Sequence, residues 1–567
     1  MAMDFEDLAA RCRDAAFRNA LGATNAFNIA AVALDDCLTR LTSNFRVTVG
    51  GNGSSVPSTG EDDDEDDGLG YTIRVDRSQL SAAMSGGAAD LAPRAVAVAD
   101  RADADEALQT STSVFRFLRN ACVESTGSQD GCRASDCLRL AHVAVIQCCE
   151  WVDVEDADLA KSVVLLAQVA LQFAVNCVTG NLANQAVIWE LFFPDHFQKV
   201  LVECQEHRKI CAFIAALALN CVNASEGDEL ELQAVRTRGT DLVCARNLVI
   251  TFLQRCMPKP VASSAAPSTV LAGSEADDPA FEWICVLFRV LFRAGHARDL
   301  YNAVGAHMLS RLWSRVTPEQ LILLRMFALW VDYVSTANRS AATASSVDTD
   351  ALVGSFEFVK STWVFIISAD DEDRPDDVEE VRKLMWIELE NETKLLLLDV
   401  FGELTVKSDL LDETSCQELL RSVLTELGRL WALRPSNPKA SSTTDATNQH
   451  EPEGYRSRLI RVAGNLCFRD TARQDLVRDE GFIPLLLNHC NIDESNPLIR
   501  EWSLVALRNV CEGNEANQAY INELRPQGMD SASETALRNS GVSAEIREDG
   551  KVELSKSSTD QHDQPGQ

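Results

Sequence analysis

From Arg458 to Leu524 the chain reads RLIRVAGNLCFRDTARQDLVRDEGFIPLLLNHCNIDESNPLIREWSLVALRNVCEGNEANQAYINEL. One pattern occurs twice in it. Asn465-Leu466-Cys467 is followed, nine positions after the Asn, by Gln474, and Asn509-Val510-Cys511 is followed at the same distance by Gln518. The two asparagines stand 44 residues apart, within the period of helical repeats that stack into solenoids. In the second copy, Ser495-Asn496-Pro497 reads as a helix start, with a polar cap and then Pro where a missing N–H costs nothing. Trp502, Val505, Ala506, Asn509 and Val510 recur at helical spacing, Gly513 suits a left-handed helix end, and Gln518, Ala519 and Ile521 open the next helix. Such a unit has an apolar face too wide to bury alone, so the pattern implies an array of stacked neighbours.

Asn is a poor residue for a helix interior, because its amide competes for backbone groups. Placed at the end of an apolar helix, it must find partners there. Two readings follow: a ladder of amides bridging backbone groups of adjacent repeats, or amides lining a groove that grips a partner's backbone. The same signature recurs upstream. Asn120 has Cys122 two after it and Gln129 nine after it, and Asn176 has Cys177 and Gln185. Asn220 has Cys221, but Glu229 stands at the ninth position, so this copy is degenerate. The spacings are 56 and 44 residues, and the longer one predicts an extended loop around Gly127 to Arg133.

The chain has 567 residues, more than the roughly 250–300 at which one core stops growing. With 46% hydrophobic residues and only five Tyr, composition favours helix over sheet, and the repeat period makes it an all-α, armadillo/HEAT-like α-solenoid in two lobes. Lys and Arg total 52 against 85 Asp and Glu, a formal charge of −33. That balance argues against nucleic acid and against anionic membrane surfaces as partners. Two runs concentrate it: Glu61 to Asp67 carries seven acids, and Asp370 to Glu380 carries eight with one Arg. The N-terminus is charged and lacks an apolar signal region. The most apolar run, Val163 to Val178, is broken by Gln168, Gln172 and Asn176, short of the roughly 18 uninterrupted residues of a membrane span. The expected compartment is the cytosol, where the eighteen cysteines stay reduced.

Boundaries follow from composition. Residues 1–257 read as N-terminal repeats carrying a disordered acidic insertion at about 44–90. Pro258 to Pro279 and Pro435 to Pro452 read as linkers. Between them, 281–434 is a helical block rich in Trp and Phe without the Asn signature. Residues 454–525 form a C-terminal domain, and 526–567 reads as a disordered tail.

No metalloprotease, nucleophile-elbow, P-loop or dinucleotide motif is present. Cys132, Cys137, His142, Cys148 and Cys149 have metal-ligand character, but the gap from Cys132 to Cys137 is wider than the tight pairs of zinc sites. In an apolar helix such cysteines pack as small hydrophobes. His489 beside Cys490 suggests a thiolate pair, and equally a cationic His at a helix C-terminus. No catalytic residue, metal or cofactor is expected. Arg458, Arg461, Arg469, Arg473 and Arg478 make a locally basic stretch, a solvated face or a dock for an acidic peptide.

Leu459–Cys467, Gln474, Gly481-Phe482-Ile483-Pro484-Leu485, Cys490-Asn491-Ile492-Asp493, Ser495-Asn496-Pro497, Glu501-Trp502 and Ala506–Asn509 together resemble the C-terminal domain of the ataxin-10 family. A fainter likeness runs through Phe115–Cys122, Leu171–Trp189 and Lys209–Asn220. The resemblance implies a non-enzymatic, armadillo-like cytoplasmic binder. It also implies links to cytokinesis, to neuronal survival in animals, and to partners such as O-GlcNAc transferase and a G-protein beta subunit; fungal relatives carry a copper-transport label. The expected function is therefore a scaffold for protein partners. Its expected contact residues are Asn120, Asn176, Asn220, Asn465, Asn509, Arg458 and Arg461. The alternatives are a metal handler using segment 132–149, or a self-assembling homo-oligomer whose solenoid ends pair.

Overall fold

The computed structural model describes residues 4–49, 94–223, 227–256, 278–305, 315–339, 346–368, 380–433, 451–493, 495–524, 535, 537–547 and 552–556. The expected linkers and most of both acidic runs fall outside them. Within them the chain runs α1 Phe5–Arg11, α2 Ala15–Leu21, α3 Ala26–Asn44, β1 Phe45–Val49, β2 Arg94–Val98, α4 Arg101–Ala121, α5 Thr126–Ala134, α6 Cys137–Trp151, α7 Ala157–Val178, α8 Leu182–Phe192, α9 Asp195–Glu203, α10 Arg208–Val222, α11 Glu229–Cys244, α12 Arg246–Arg255, α13 Pro279–Arg293, α14 Ala297–Val304 and α15 Pro318–Arg339. It continues with α16 Ser346–Gly354, α17 Phe356–Ile367, α18 Glu380–Leu404, a 3-10 turn Thr405–Leu410, α19 Glu413–Ala432, α20 Tyr455–Leu466, α21 Thr471–Asp479, α22 Ile483–Asn488, α23 Ile499–Cys511, α24 Glu515–Glu523, β3 Val542–Ile546 and β4 Val552–Lys556. The fold is all-α and solenoid-like, divided into two compact units: Met1–Phe358 with Asp371–Thr393, and Val359–Asp370 with Lys394–Gln567. The division runs through α17 and α18.

Acidic and amide caps set the helix starts. Asp100, Asp156, Asp412 and Asp470 each accept from main-chain N–H groups of the turn that follows, satisfying donors that a helix leaves open at its start. In the first unit, α3, α4, α7, α10, α13 and α15 form a series in which each packs on the next. A helix that is apolar on both sides fits only inside such a series, and α7 shows it. Leu166, Ala170, Phe173, Ala174 and Cys177 are buried, and Phe173 meets Phe115 of α4 at 5.9 Å between ring centroids. Burying each of those rings contributes roughly 2–3 kcal/mol. By length and composition α7 could cross a membrane; its contacts with α4 and α10 make it a core helix here. In the second unit the same layering runs through α19, α20 and α23.

The structure departs from the expectations in four places. Phe45–Val49 pairs antiparallel with Arg94–Val98, Phe45 opposite Val98, so order continues past Asn44. Phe45 stacks on Trp151 at 4.6 Å, an anchor that composition does not reveal. Residues 50–90 of the expected insertion lie outside the described residues. In the expected tail, β3 and β4 form an antiparallel hairpin with Val542 opposite Lys556 and Ala544 opposite Leu554. The extra length of the first repeat does not sit in a loop at Gly127 to Arg133, because that segment is α5. It sits in longer helices: α6 has 15 residues against 6 in α22, and α7 has 22 against 13 in α23. Finally, α23 starts at Ile499, after Leu498 in a left-handed conformation. Asn496 does not cap it; its Oδ1 accepts from Arg456 N at 2.9 Å, and Ser457 Oγ donates to Pro497 O at 2.8 Å. The Ser-Asn-Pro segment is held by α20 instead.

Candidate functional site: an amide clamp between repeats

Every helix leaves its last carbonyls without a helical donor. Where two helices end side by side, those carbonyls crowd together, and a carboxamide is the side chain that can donate to several at once. The five asparagines occupy equivalent places, in the last turn of α4, α7, α10, α20 and α23. Asn176 Nδ2 donates to Arg119 O at 3.1 Å, and Asn509 Nδ2 donates to Gly464 O at 2.9 Å. Each acceptor directly precedes the Asn of the previous repeat. Asn120 Nδ2 reaches Ala9 O at 3.0 Å, and Asn465 Nδ2 reaches Gly402 O at 3.1 Å and Thr405 Oγ1 at 3.3 Å. Asn220 is the exception: its Nδ2 turns back on Ala216 O of its own helix at 2.9 Å.

The glutamines complete the bridge. Gln129 Nε2 donates to Cys122 O at 3.4 Å, Asn176 O at 2.9 Å and Thr179 O at 3.1 Å. Gln474 Nε2 donates to the equivalent three: Cys467 O at 3.2 Å, Asn509 O at 2.8 Å and Glu512 O at 3.2 Å. Two hydrogens serve three acceptors, so one is shared. Gln185 and Gln518 keep only the bond to their own repeat, to Val178 O at 3.2 Å and Cys511 O at 2.8 Å. Past Gln185 the degenerate copy finds a substitute. Arg238 Nε donates to Cys221 O at 2.6 Å, and its Nη2 donates to Gln185 Oε1 at 3.2 Å. Burial holds the Arg238 pKa below its ordinary value.

A second layer of the clamp escaped the sequence reading. The signals are Gln-Asp-x-x-Arg, at Gln129–Arg133 and Gln474–Arg478, and Asn-x-x-Asn-Gln, at Asn181–Gln185 and Asn514–Gln518. Asn184 Nδ2 donates to Gln129 O at 3.1 Å and Cys177 O at 2.8 Å; Asn517 Nδ2 donates to Gln474 O at 3.0 Å and Val510 O at 2.8 Å. Their Oδ1 atoms accept from Arg133 Nη1 at 2.8 Å and Arg478 Nη1 at 3.0 Å. Those arginines pair with Asp130 at 3.1 Å and Asp475 at 2.7 Å, and the aspartates accept from Asn181 Nδ2 at 3.1 Å and Asn514 Nδ2 at 2.9 Å. The Asn514 amide and the Arg478 guanidinium hold the Asp475 carboxyl below its ordinary range, against a smaller upward push from burial.

The basic stretch is internally neutralised. Arg458 Nε donates to Asp399 at 2.8 Å and Arg461 Nη2 to Glu403 at 2.9 Å, while Arg473 pairs with Asp470 at 2.6 Å. The metal-like set of segment 132–149 does not converge. Cys137 Sγ points to Phe27 O at 3.7 Å, His142 Nε2 lies 2.9 Å from His196 Nδ1, and Cys149 Sγ lies 3.5 Å from Cys204 Sγ. Only Cys132 joins a group, with Cys122 and Cys177, from outside that segment. His489 Nδ1 sits 2.8 Å from Leu485 O and Cys490 Sγ points to Leu486 O at 3.6 Å, so they form no thiolate pair.

Residues 455–555 match the family described as the spinocerebellar ataxia type 10 protein domain, a span that takes in both repeats of the second clamp and all of the β3–β4 hairpin but Lys556. Ataxin-10 of Bos taurus is 27% identical over 80% of this chain and 84% of its own length. Ataxin-10 of Homo sapiens is 26% identical over 80% and 83%. An ataxin-10 homolog of Dictyostelium discoideum is 37% identical over 19% of this chain and 17% of its own. The terminal domain and the likeness along most of the chain agree: the chain carries the C-terminal domain of the ataxin-10 family and is similar to ataxin-10 over about 80% of its length.

Proposed function

We propose that the protein is a non-enzymatic scaffold of the cytosol that binds partner proteins along the row of helix ends carrying Asn120, Asn176 and Asn220 in the first unit. In the second unit Asn465 and Asn509 stand at the equivalent helix ends, with Asn465 the more accessible, and Arg458 and Arg461 flank them as further contact residues that would exchange Asp399 and Glu403 for a partner's acids. One observation carries the reading. Asn176 and Asn220 are half-buried and use only Nδ2 internally, leaving Oδ1 to a ligand. That oxygen is an acceptor for the N–H of an extended chain, and the negative ends of three parallel helices favour donors beside it. The family's links to cytokinesis and to signalling partners fit a binder of this kind.

Asn220 is the better probe, because Asn176 also ties two repeats together. Affinity capture of partners from cells with Asn220→Ala, alongside the unmodified chain, tests the reading. Loss of a subset of partners at unchanged melting temperature supports it; an unchanged partner set removes the groove.

A further inference from the structure

Cys122, Cys132 and Cys177 come from three helical segments in two adjacent repeats: the end of α4, α5 and the last turn of α7. Their three Sγ atoms lie within 4.8 Å of one another, with Cys122 and Cys132 at 3.6 Å. All three residues are 0% exposed. With bonds of about 2.3 Å, a pyramidal three-coordinate centre places its sulfurs roughly 3.5 Å apart. The thiols therefore need only side-chain adjustment to share one centre. We propose that this trio is a capture site for a trivalent, three-coordinate thiophile of the arsenic(III) class.

Coordination number and charge select the class. Structural zinc takes four ligands. Burial excludes water as the fourth here, and Cys137, though beside Cys132, lies outside the group with its thiol on main-chain carbonyls. Three thiolates around a monovalent ion leave two negative charges in a closed apolar site, and around a divalent ion they leave one. Uncompensated buried charge is costly. The nearby Arg133 is already engaged with Asp130 and Asn184. Three thiolates around a trivalent centre are neutral, and its lone pair takes the place of a fourth ligand. The exchange balances without redox: arsenous acid and three thiols give one arsenic bound to three sulfurs and three waters. Each As–O bond is replaced by As–S, and each thiol proton leaves in a water.

The Asn184 amide stands 3.3 Å from the Cys177 sulfur and turns a hydrogen-bond donor toward the site. The closed site opens only by local unfolding, so capture is slow and mild urea accelerates it. Once bound, the centre joins two repeats and raises their stability.

The test uses the full, reduced chain incubated with arsenite or with Zn(II). Native mass spectrometry is expected to show a gain of one arsenic less three hydrogens. Alkylation mapping is expected to show protection at Cys122, Cys132 and Cys177, with a higher melting temperature. Cys122→Ser and Cys177→Ala each weaken arsenite binding at least tenfold, while Cys149→Ser, in the separate Cys149–Cys204 pair, leaves it unchanged. Should the first two fail to fold by circular dichroism, the protection map of the unmodified chain decides. Arsenite protecting other cysteines, binding unchanged in folded variants, or a tighter Zn(II) complex with a four-sulfur shell by X-ray absorption each overturns the proposal.

Discussion

The clamp at Gln129 and the clamp at Gln474 close the same hydrogen bonds on helices of different length. In the first unit the second long helix of the junction has 22 residues, in the second unit 13. The carbonyls served by the two glutamines are nevertheless equivalent one by one. The two junctions therefore share the geometry of helix ends and not the length of the helices. They differ at the residue before the first Asn. In the first unit it is Arg119, which donates to Gln172 Oε1 at 2.7 Å and to Asn120 Oδ1 at 3.0 Å. In the second it is Gly464, where an added Cβ would stand 3.1 Å from Ala506 Cα. One junction is braced by a side chain, the other by close approach of two backbones.

The largest effect on this equivalence is expected from removing the glutamines. Gln129→Ala and Gln474→Ala each strand three carbonyls and should each cost about 2–3 kcal/mol. Gln129→Ala should cost slightly more, because Gln129 Oε1 also accepts from Asn181. Urea titration gives the magnitudes, and hydrogen exchange confined to the affected unit shows whether each clamp acts locally. Equal protection losses in both units after one substitution would contradict two separate clamps. Next comes the point where the junctions differ: Gly464→Ala should destabilise by about 1–2 kcal/mol through overpacking. Arg119→Ala should cost under about 1 kcal/mol, in line with two partly exposed hydrogen bonds.

A smaller contrast separates the asparagines. Asn176→Ala should cost about 1 kcal/mol and Asn220→Ala less than about 0.5 kcal/mol, since only the former spans repeats. Thermal melts of both variants check the ranking; a larger loss for Asn220→Ala would reverse it. The smallest effect is expected from acid. The folded Asp475 carboxyl lies below its ordinary value of 3.8. Its contribution is therefore complete above that value and is lost as pH falls through the lowered folded value. Asp475→Asn should flatten the acid limb of a stability–pH curve recorded from about pH 5 downward. An unchanged acid limb would show that the Asp475–Arg478–Asn514 bonds add no pH dependence.

The Asn and Gln rows were legible because a helix end recurs at fixed distance from the amides that cap it, and one repeat length sufficed to see it. The Asp and Arg of the second layer were equally regular, but in a chain with 85 acids and 52 bases a charged pair carries little signal alone. The middle block offered no amide pattern because its layers are joined otherwise. Phe292 packs edge-on to Phe327 at 5.3 Å, and Phe327 lies 5.5 Å from Trp330. Aromatic contacts of this kind leave no fixed spacing. The Cys122–Cys132–Cys177 group was hidden for a related reason: Cys177 lies 45 positions beyond Cys132, and only stacking brings them together.

Gln518 still reaches back to its own repeat, yet the positions that hold Asp and Arg after Gln474 are Ala519 and Asn522 here. The array is thus blunted by two side chains, while the glutamine socket stays in place. A designer wishing to graft a further module beyond Leu524 would begin with Ala519→Asp and Asn522→Arg, and would choose a guest helix that offers its terminal carbonyls to Gln518.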